Sequence, residues 1–264
     1  MKHFILSVPP NSEGMIRLYE EDYHYLVRVR RLRSGMCFDA VLPGGEETRI
    51  RVLSTVDNIL IGECLDSGQK KCSPGTSIAL FQGLPKGAKM DLIIRQAAEC
   101  AVSVVAPFES EYSVVHPRKD LSETKLSAEK IKRWERIIRE ARQQSGSARE
   151  TKIWPPYKLE ALLERWESLK KEYSRPIGIL LHQEALENRT LHDYLGNYPD
   201  FVVLAVGPEG GFSPKEVSLF TEAGFRPLIM GNTILRTETA ALYGIAAIRT
   251  ILLENESWKP LPKG

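Results

Sequence analysis

The stretch Val202-Val203-Leu204-Ala205-Val206-Gly207-Pro208-Glu209-Gly210-Gly211-Phe212-Ser213-Pro214-Lys215-Glu216 decides the fold. The apolar run 201–206 has strand length and no polar alternation, the pattern of a strand covered on both faces in a parallel sheet. Gly207-Pro208-Glu209-Gly210-Gly211 then forces a turn. Ser213 is placed to cap a helix, Pro214 suits its first position, and Glu216 completes a capping box. Open α/β sheets bind ligands in such loops, between a strand's carboxyl end and a helix N-terminus. The alternative is a plain strand–turn–helix connection with glycines at positive φ.

The loop's composition restricts the ligand. A phosphate cradle would carry Lys and Ser or Thr after its glycines. Here Glu209 stands in the loop, and a carboxylate repels an anion, so a neutral or cationic small molecule fits better. A second loop follows the run Pro227-Leu228-Ile229-Met230-Gly231, which reads as another short buried strand. The polar residues Arg236, Thr237, Glu238 and Thr239 lie between that run and Ala241–Ile248, a helix apolar nearly all round and therefore expected in a core or a subunit interface. Buried charge is costly unless paired, so an Arg236–Glu238 pair is the simplest brace, alone or beside a site.

Working outward, the chain from residue 77 alternates strands with helices. The runs 78–81, 102–105, 177–181, 201–206 and 227–230 predict an α/β domain with a mainly parallel sheet. Before it, Phe38–Leu42, Thr48–Leu53 and Asn58–Gly62 alternate like short strands. With turns at Gly44-Gly45 and Asp57-Asn58 they suggest a small barrel. Residues 67–75, polar and turn-rich, read as a linker.

The formal net charge of +2 does not announce a nucleic-acid binder, but its distribution is uneven. Residues 118–152 hold eleven Lys/Arg against six Asp/Glu, and Arg28, Arg30, Arg31 and Arg33 cluster in the N-terminal part. On the helix within 118–152, Ile131, Trp134, Ile138 and Ala141 share one face, while Lys132, Arg136, Arg139 and Gln143 share another. One face can dock while the other meets phosphate, or serves as an ordinary solvated surface. With 42% hydrophobic residues and no apolar run of membrane-spanning length, the chain is expected to be soluble. MKHFILSVPP at the start reads as a short strand rather than a signal peptide. Cys37, Cys64, Cys72 and Cys100 lack CxxC spacing and are expected as reduced cytosolic thiols, and the scattered histidines support no metal site.

Together, VGPEGGFSPKE and MGNTILRTETAAL resemble the two signature loops of the RsmE-type 16S rRNA (uracil-N3) methyltransferases of the SPOUT superfamily. The resemblance continues through LPKGAKMDLIIRQAAECAV (84–102), RWERIIREARQQSGSARETKIWPP (133–156), ILLHQEA (179–185) and HYLVRVRRLRSG (24–35), in the family's order. Gln96 and Cys100 stand where the family more often has Lys and Gly, and Ser145–Arg149 is a variant of a shorter motif. The resemblance implies a PUA-like β-barrel RNA-binding domain over 1–70 and a SPOUT methyltransferase domain over 76–264. It further implies a deep trefoil knot and a cytoplasmic homodimer with active sites at the subunit interface. The implied cofactor is S-adenosyl-L-methionine, and the implied partner is small-subunit ribosomal RNA or the assembled small subunit, with no membrane and no metal.

On that reading Gly207, Pro208, Glu209, Gly210, Gly211, Met230 and Gly231 let main chain approach the adenine closely. Leu181, Val206, Ile234 and Leu235 supply apolar walls, with Thr239 and Ala240 where the loop enters the helix. A side chain added at Gly210 or Gly231 is expected to fill the ligand's space. Arg236 stabilises the developing uracil anion or clamps a phosphate. Glu238, or less readily Glu209, accepts the N3 proton; alternatively Glu238 is a helix N-terminal carboxylate held by the dipole. The RNA path is expected over Arg28, Arg31 and Arg33, then Lys86, Arg136, Arg139, Arg142 and Arg149. Two alternatives stay open: a SPOUT methyltransferase for another RNA or ring position, and a non-catalytic ribosome-associated RNA-binding protein.

Overall fold

Short strands with alternating burial open the computed structural model, which describes residues 3–6, 8–43, 45–65, 75–113, 123–184 and 189–255. The expected linker over 67–74, Gly44, Cys72, the basic pair Arg118-Lys119 and Ala185 lie outside them. The chain divides into two units, Met1–Pro74 with Arg142–Glu150, and Gly75–Ala141 with Thr151–Gly264.

The first unit holds β1 (Phe4–Ile5), β2 (Met15–Leu18), α1 (Glu20–Tyr23), a π-helical segment (His24–Val29), β3 (Cys37–Val41), β4 (Glu47–Val56) and β5 (Ile59–Cys64). They form one sheet in the order β1-β3-β4-β5-β2, antiparallel except for the parallel pair β1–β3. Thr48, Ile50 and Val52 on β4 point inward while Arg49, Arg51 and Leu53 are exposed, the period of two that the sequence displayed. The Asp57-Asn58 turn has φ of 55° and 58°, the left-handed pair that a two-residue hairpin requires. In the π segment, Leu26 and, beyond it, Leu32 are buried anchors, while Arg28, Arg31 and Arg33 stay exposed. The Gln143 side chain accepts a hydrogen bond from the Ile5 N–H at 2.9 Å, so this residue of the expected basic face braces β1 instead.

The second unit contains β6 (Ser77–Gly83), α2 (Lys89–Glu99), β7 (Val104–Glu109), α3 (Glu123–Ser145, its last turn counted with the first unit), β8 (Lys152–Ile153) and β9 (Tyr157–Lys158). Then follow α4 (Leu159–Glu172), β10 (Pro176–Leu181), α5 (Leu191–Leu195), β11 (Phe201–Val206), α6 (Pro214–Glu222), β12 (Phe225–Leu228) and α7 (Thr237–Asn255). The sheet runs β12-β10-β11-β6-β7-β8, with β9 also on β7, and every pairing is parallel.

Strand β11 shows why the apolar run carries no alternation. Val202, Leu204 and Val206 pack with α2, α3, α5 and α7; Phe201, Val203 and Ala205 pack with α4 and α6. Both faces are covered, and each fully buried Val or Leu contributes roughly 1.5–3 kcal/mol. Ile131, Trp134, Ile138 and Ala141 of α3 join the first of these cores, as their spacing predicted.

The strand expected at 227–230 is shifted. β12 begins at Phe225, after Gly224 turns the chain at φ 89°, and ends at Leu228, so Ile229 and Met230 belong to the following loop. Apolar composition hid this boundary, because those two residues line a cleft rather than a core. Similarly β7 covers 104–109 rather than 102–105.

Candidate functional site

Because the sheet is parallel, the carboxyl ends of β10, β11 and β12 lie side by side. They open into a cavity of about 700 Å³, within the usual range for a small-molecule site. Leu181–Glu184 line it after β10, Val206–Phe212 after β11, and Ile229–Thr237 after β12, with Ala240 from α7. Thus Leu181, Val206, Gly207, Pro208, Glu209, Gly210, Gly211, Met230, Gly231, Ile234, Leu235, Arg236 and Ala240 are brought together, as expected. Thr239 and Glu238 are not part of the lining. Ile234 is 78% exposed, so it forms rim rather than wall.

The first loop has little freedom. Gly211 sits at φ +72° and its N–H donates to the Pro208 carbonyl at 2.9 Å, closing a tight turn. A Cβ on Gly207 would stand 3.0 Å from the Gly211 carbonyl carbon, so the two arms of the loop pack backbone to backbone. A Cβ on Gly210 would meet the Tyr112 Cβ at 2.8 Å. The expectation that a side chain there fills the ligand space is therefore corrected: it would strike Tyr112.

Both loops are tied through one hydroxyl. Thr237 donates to the Gly207 carbonyl at 2.6 Å and accepts from the Gln82 amide at 3.0 Å. Gln82 is fully buried at the end of β6 and also donates to the Gly83 carbonyl at 2.9 Å. Sequence reasoning missed Gln82, although a lone polar residue inside an apolar strand run is a usable signal.

Glu209 takes no part as a free charge. Its carboxylate accepts from Lys89 Nζ at 2.8 Å and from the Lys86 N–H at 3.2 and 3.3 Å. Partial burial pushes the carboxyl up, but the Lys89 hydrogen bond and the backbone N–H groups outweigh it and hold Glu209 below the usual carboxylate range. Glu209 is therefore a brace to the 86–89 turn, and its reading as proton acceptor is corrected. The Arg236–Glu238 pair does not form among the described residues. Glu238 instead lies 3.5 Å from Lys89 Nζ, and Arg236 is exposed at the cavity without an ion pair. Solvent solvates Arg236, so the pairing argument from burial did not apply.

Lys89, Met90 and Asp91 divide three tasks. Lys89 meets the two glutamates, Met90 enters the core, and Asp91 accepts from Trp134 Nε1 at 3.1 Å and pairs with Arg133, fixing α2 to α3.

Of the residues expected on RNA, Arg28, Arg31 and Arg33 are exposed in the first unit, and Lys86, Arg136 and Arg139 in the second. Arg136 lies 3.7 Å from Glu140. Arg149 is half-buried. Arg142 is corrected: it is only 8% exposed and donates to the Ala148 carbonyl at 3.2 Å. Burial also lowers its pKa. Such a guanidinium braces the 142–150 segment and does not reach phosphate.

The family described as RNA methyltransferase domain matches residues 72–249 of this chain. A relative from Synechocystis, ribosomal RNA small subunit methyltransferase E, is 31% identical over 242 residues, covering 91% of this chain and 74% of the relative. The chain belongs to this methyltransferase family. The Bacillus subtilis protein of the same name is 25% identical over 233 residues, covering 86% of this chain and 87% of its own length. The crystal structure of a ribosomal RNA small subunit methyltransferase E from Neisseria gonorrhoeae, bound to S-adenosyl methionine, shares 25% identity with a TM-score of 0.76, covering 95% and 98% of the two chains. Beside the family's glycine loops, the resembling stretch 179–185 contributes His182, Gln183 and Glu184 to the cavity after β10, of which sequence reasoning had named only Leu181 as a site residue. The polar run His182-Gln183-Glu184 directly after an apolar strand was the available signal.

Proposed function

We propose that this methyltransferase transfers a methyl group from S-adenosyl-L-methionine to ring N3 of a uridine in 16S ribosomal RNA. The observation that carries the reading is the cavity at the ends of β10–β12, walled by main-chain loops and edged by Arg236, which forms no ion pair among the described residues. The cavity's chemistry fits the cofactor. Leu181, Val206 and Leu235 offer apolar walls, Gly207–Gly211 and Met230–Gly231 offer main chain, and Glu184 offers a carboxylate for a cationic donor.

When bound, the cofactor supplies a methyl group already activated by the sulfonium. What remains for the protein is alignment and removal of the N3 proton. Thr237 holds the two loops at one spacing, which serves alignment. Glu238 accepts the proton from N3, and the electron pair left there spreads onto the flanking carbonyl oxygens. Arg236 stabilises that charge, more strongly than in water once RNA covers the site.

The RNA path runs over Arg28, Arg31, Arg33, Lys86, Arg136, Arg139 and Arg149. The reading includes a PUA-like RNA-binding barrel over 1–70, a SPOUT domain with a deep trefoil knot over 76–264, and a cytoplasmic location; Arg142–Glu150 groups with the first unit. The return of α7 against α2, β6 and β11 supports the knot reading. A homodimer is supported by α7, where the large apolar side chains of Tyr243 and Leu253 are 53% and 40% exposed.

The test is incubation of the pure protein with the cofactor and either 16S rRNA or small subunits, then nuclease digestion and mass spectrometry. N3-methyluridine is the expected product. A different methylated base, or methylated transfer RNA alone, replaces the reading with another SPOUT activity. Cofactor binding without methyl transfer to any RNA leaves a binding protein.

A further inference from the structure

Lys89 reaches two carboxylates from different parts of the chain. Its Nζ lies 2.8 Å from Glu209 Oε1 and 3.5 Å from Glu238 Oε2, and the three side chains are 34, 27 and 15% exposed. The two contacts are not equivalent. Glu209 makes a direct hydrogen bond with Lys89 and also has the Lys86 N–H. Glu238 Oε2 is shielded from solvent, and among the described residues its nearest cation is Lys89, at the longer of the two distances.

We propose that Lys89 is a positioning residue that holds Glu238 charged, and aimed, for removal of the uracil N3 proton. The inference rests on reading Glu238 as the proton acceptor. A base must be ionised before the reaction, yet must keep a lone pair free for the incoming proton. Burial alone works against the first condition, since desolvation favours the neutral acid. The nearby Glu209 charge works against it too. An ammonium 3.5 Å from Oε2 supplies the missing compensation, and because its shorter bond is to Glu209 it leaves Glu238 lone pairs for the incoming proton. Lys89 itself stays charged: the Glu209 hydrogen bond raises its pKa, desolvation opposes it less strongly, and the charges of Glu209 and Glu238 and a weaker hydrogen bond to Glu238 raise it further.

Lys89 faces Glu238 from α2 and Glu209 stands behind Lys89 on the loop after β11, while Arg236 precedes Glu238 in its own loop. The N-terminal end of α7 adds a partial positive charge of the same sense as Lys89. Proton transfer from N3 to Glu238 would leave the electron pair on N3 for a bond to the methyl carbon, whose bond to the sulfonium sulfur would break with its electron pair kept by the sulfur. As Glu238 becomes neutral, Lys89 keeps Glu209 as its partner, so the ammonium is never stranded.

The experiment uses the full-length protein with Lys89→Met, Lys89→Gln, Lys89→Arg and Glu238→Gln. Two readouts are taken: the Glu238 carboxyl titration by ¹³C NMR without cofactor or RNA, assigned by difference from Glu238→Gln, and the pH profile of single-turnover methyl transfer. Loss of the positive charge should move the Glu238 titration upward in both neutral variants, because an opposite charge nearby favours the ionised form. The acid limb of the rate profile should move with it in both neutral variants, and Lys89→Arg should restore both. An unshifted Glu238 titration in Lys89→Met and Lys89→Gln overturns the inference, whatever Glu238 does in catalysis. A rate loss equal at every pH, with the limb in place, reduces Lys89 to a loop brace. A wild-type rate in Glu238→Gln instead removes the acceptor reading, and the positioning role falls with it.

Discussion

At Thr237 one hydroxyl decides the spacing of two loops. It donates to the Gly207 carbonyl and accepts from Gln82, and all of these atoms are buried. Replacement by valine keeps the shape and removes both bonds, leaving a carbonyl and an amide hydrogen without that partner. Thr237→Val should therefore cost about 1–3 kcal/mol of stability. It should also weaken cofactor binding, whereas Thr237→Ser should retain most of both. Urea unfolding and isothermal titration with S-adenosylmethionine measure the two effects; unchanged affinity in the valine variant would detach the loop tie from the pocket. Gly231 makes a contrasting case. Nothing lies within 4 Å of a Cβ built there, but its φ of +98° excludes an ordinary side chain. The restriction at that residue comes from the backbone, not from space.

Among the elements, α6 follows most directly from its residues. Ser213 accepts from the Glu216 N–H at 3.2 Å, and Glu216 accepts from the Ser213 N–H at 2.9 Å, completing the capping box that the spacing announced. The tertiary fold adds more. Glu216 also accepts from the Ser110 hydroxyl and the Glu111 N–H, both at 3.0 Å, and is only 2% exposed. Ser213→Ala should cost about 1 kcal/mol, the ordinary value of a cap. Glu216→Ala should cost more, because it orphans the two donors of the 110–111 segment as well as the cap. Thermal and urea unfolding of the two variants give the comparison; equal losses would mean that the bonds to 110–111 contribute nothing. Helix α7 teaches the converse. Its composition is apolar nearly all round, yet Tyr243 is exposed while Ile245 and Ile248 are buried. Periodicity identifies faces only where polar residues mark one of them.

For the whole molecule, charge distribution matters more than net charge. Arg28, Arg31 and Arg33 are exposed in the first unit, whereas the cofactor cavity belongs to the second. Their joint replacement by alanine should weaken RNA binding and flatten its salt dependence, by roughly 0.7 in log–log slope for each phosphate no longer neutralised. Cofactor affinity should not change. A wild-type slope in filter binding to 16S rRNA would make these arginines ordinary surface charge. At the same scale the division of labour between sequence and fold is visible in particular residues. The sequence by itself determined the parallel sheet, through Phe201–Val206 and its neighbours, and the two glycine loops that form the cavity, because strand burial, turns and caps depend on residues close along the chain. It also carried the sheet of the first unit, through the alternation of β4 and the Asp57-Asn58 turn. Only the tertiary structure decided which charges meet. Lys89 and Glu209 are 120 residues apart and Arg142 turns inward to Ala148, while Arg236 and Glu238, neighbours but one, do not pair. Local patterns set the backbone's path, but an ion pair depends on where folded segments arrive together, and that is a property of the packed sheet and helices rather than of any one stretch.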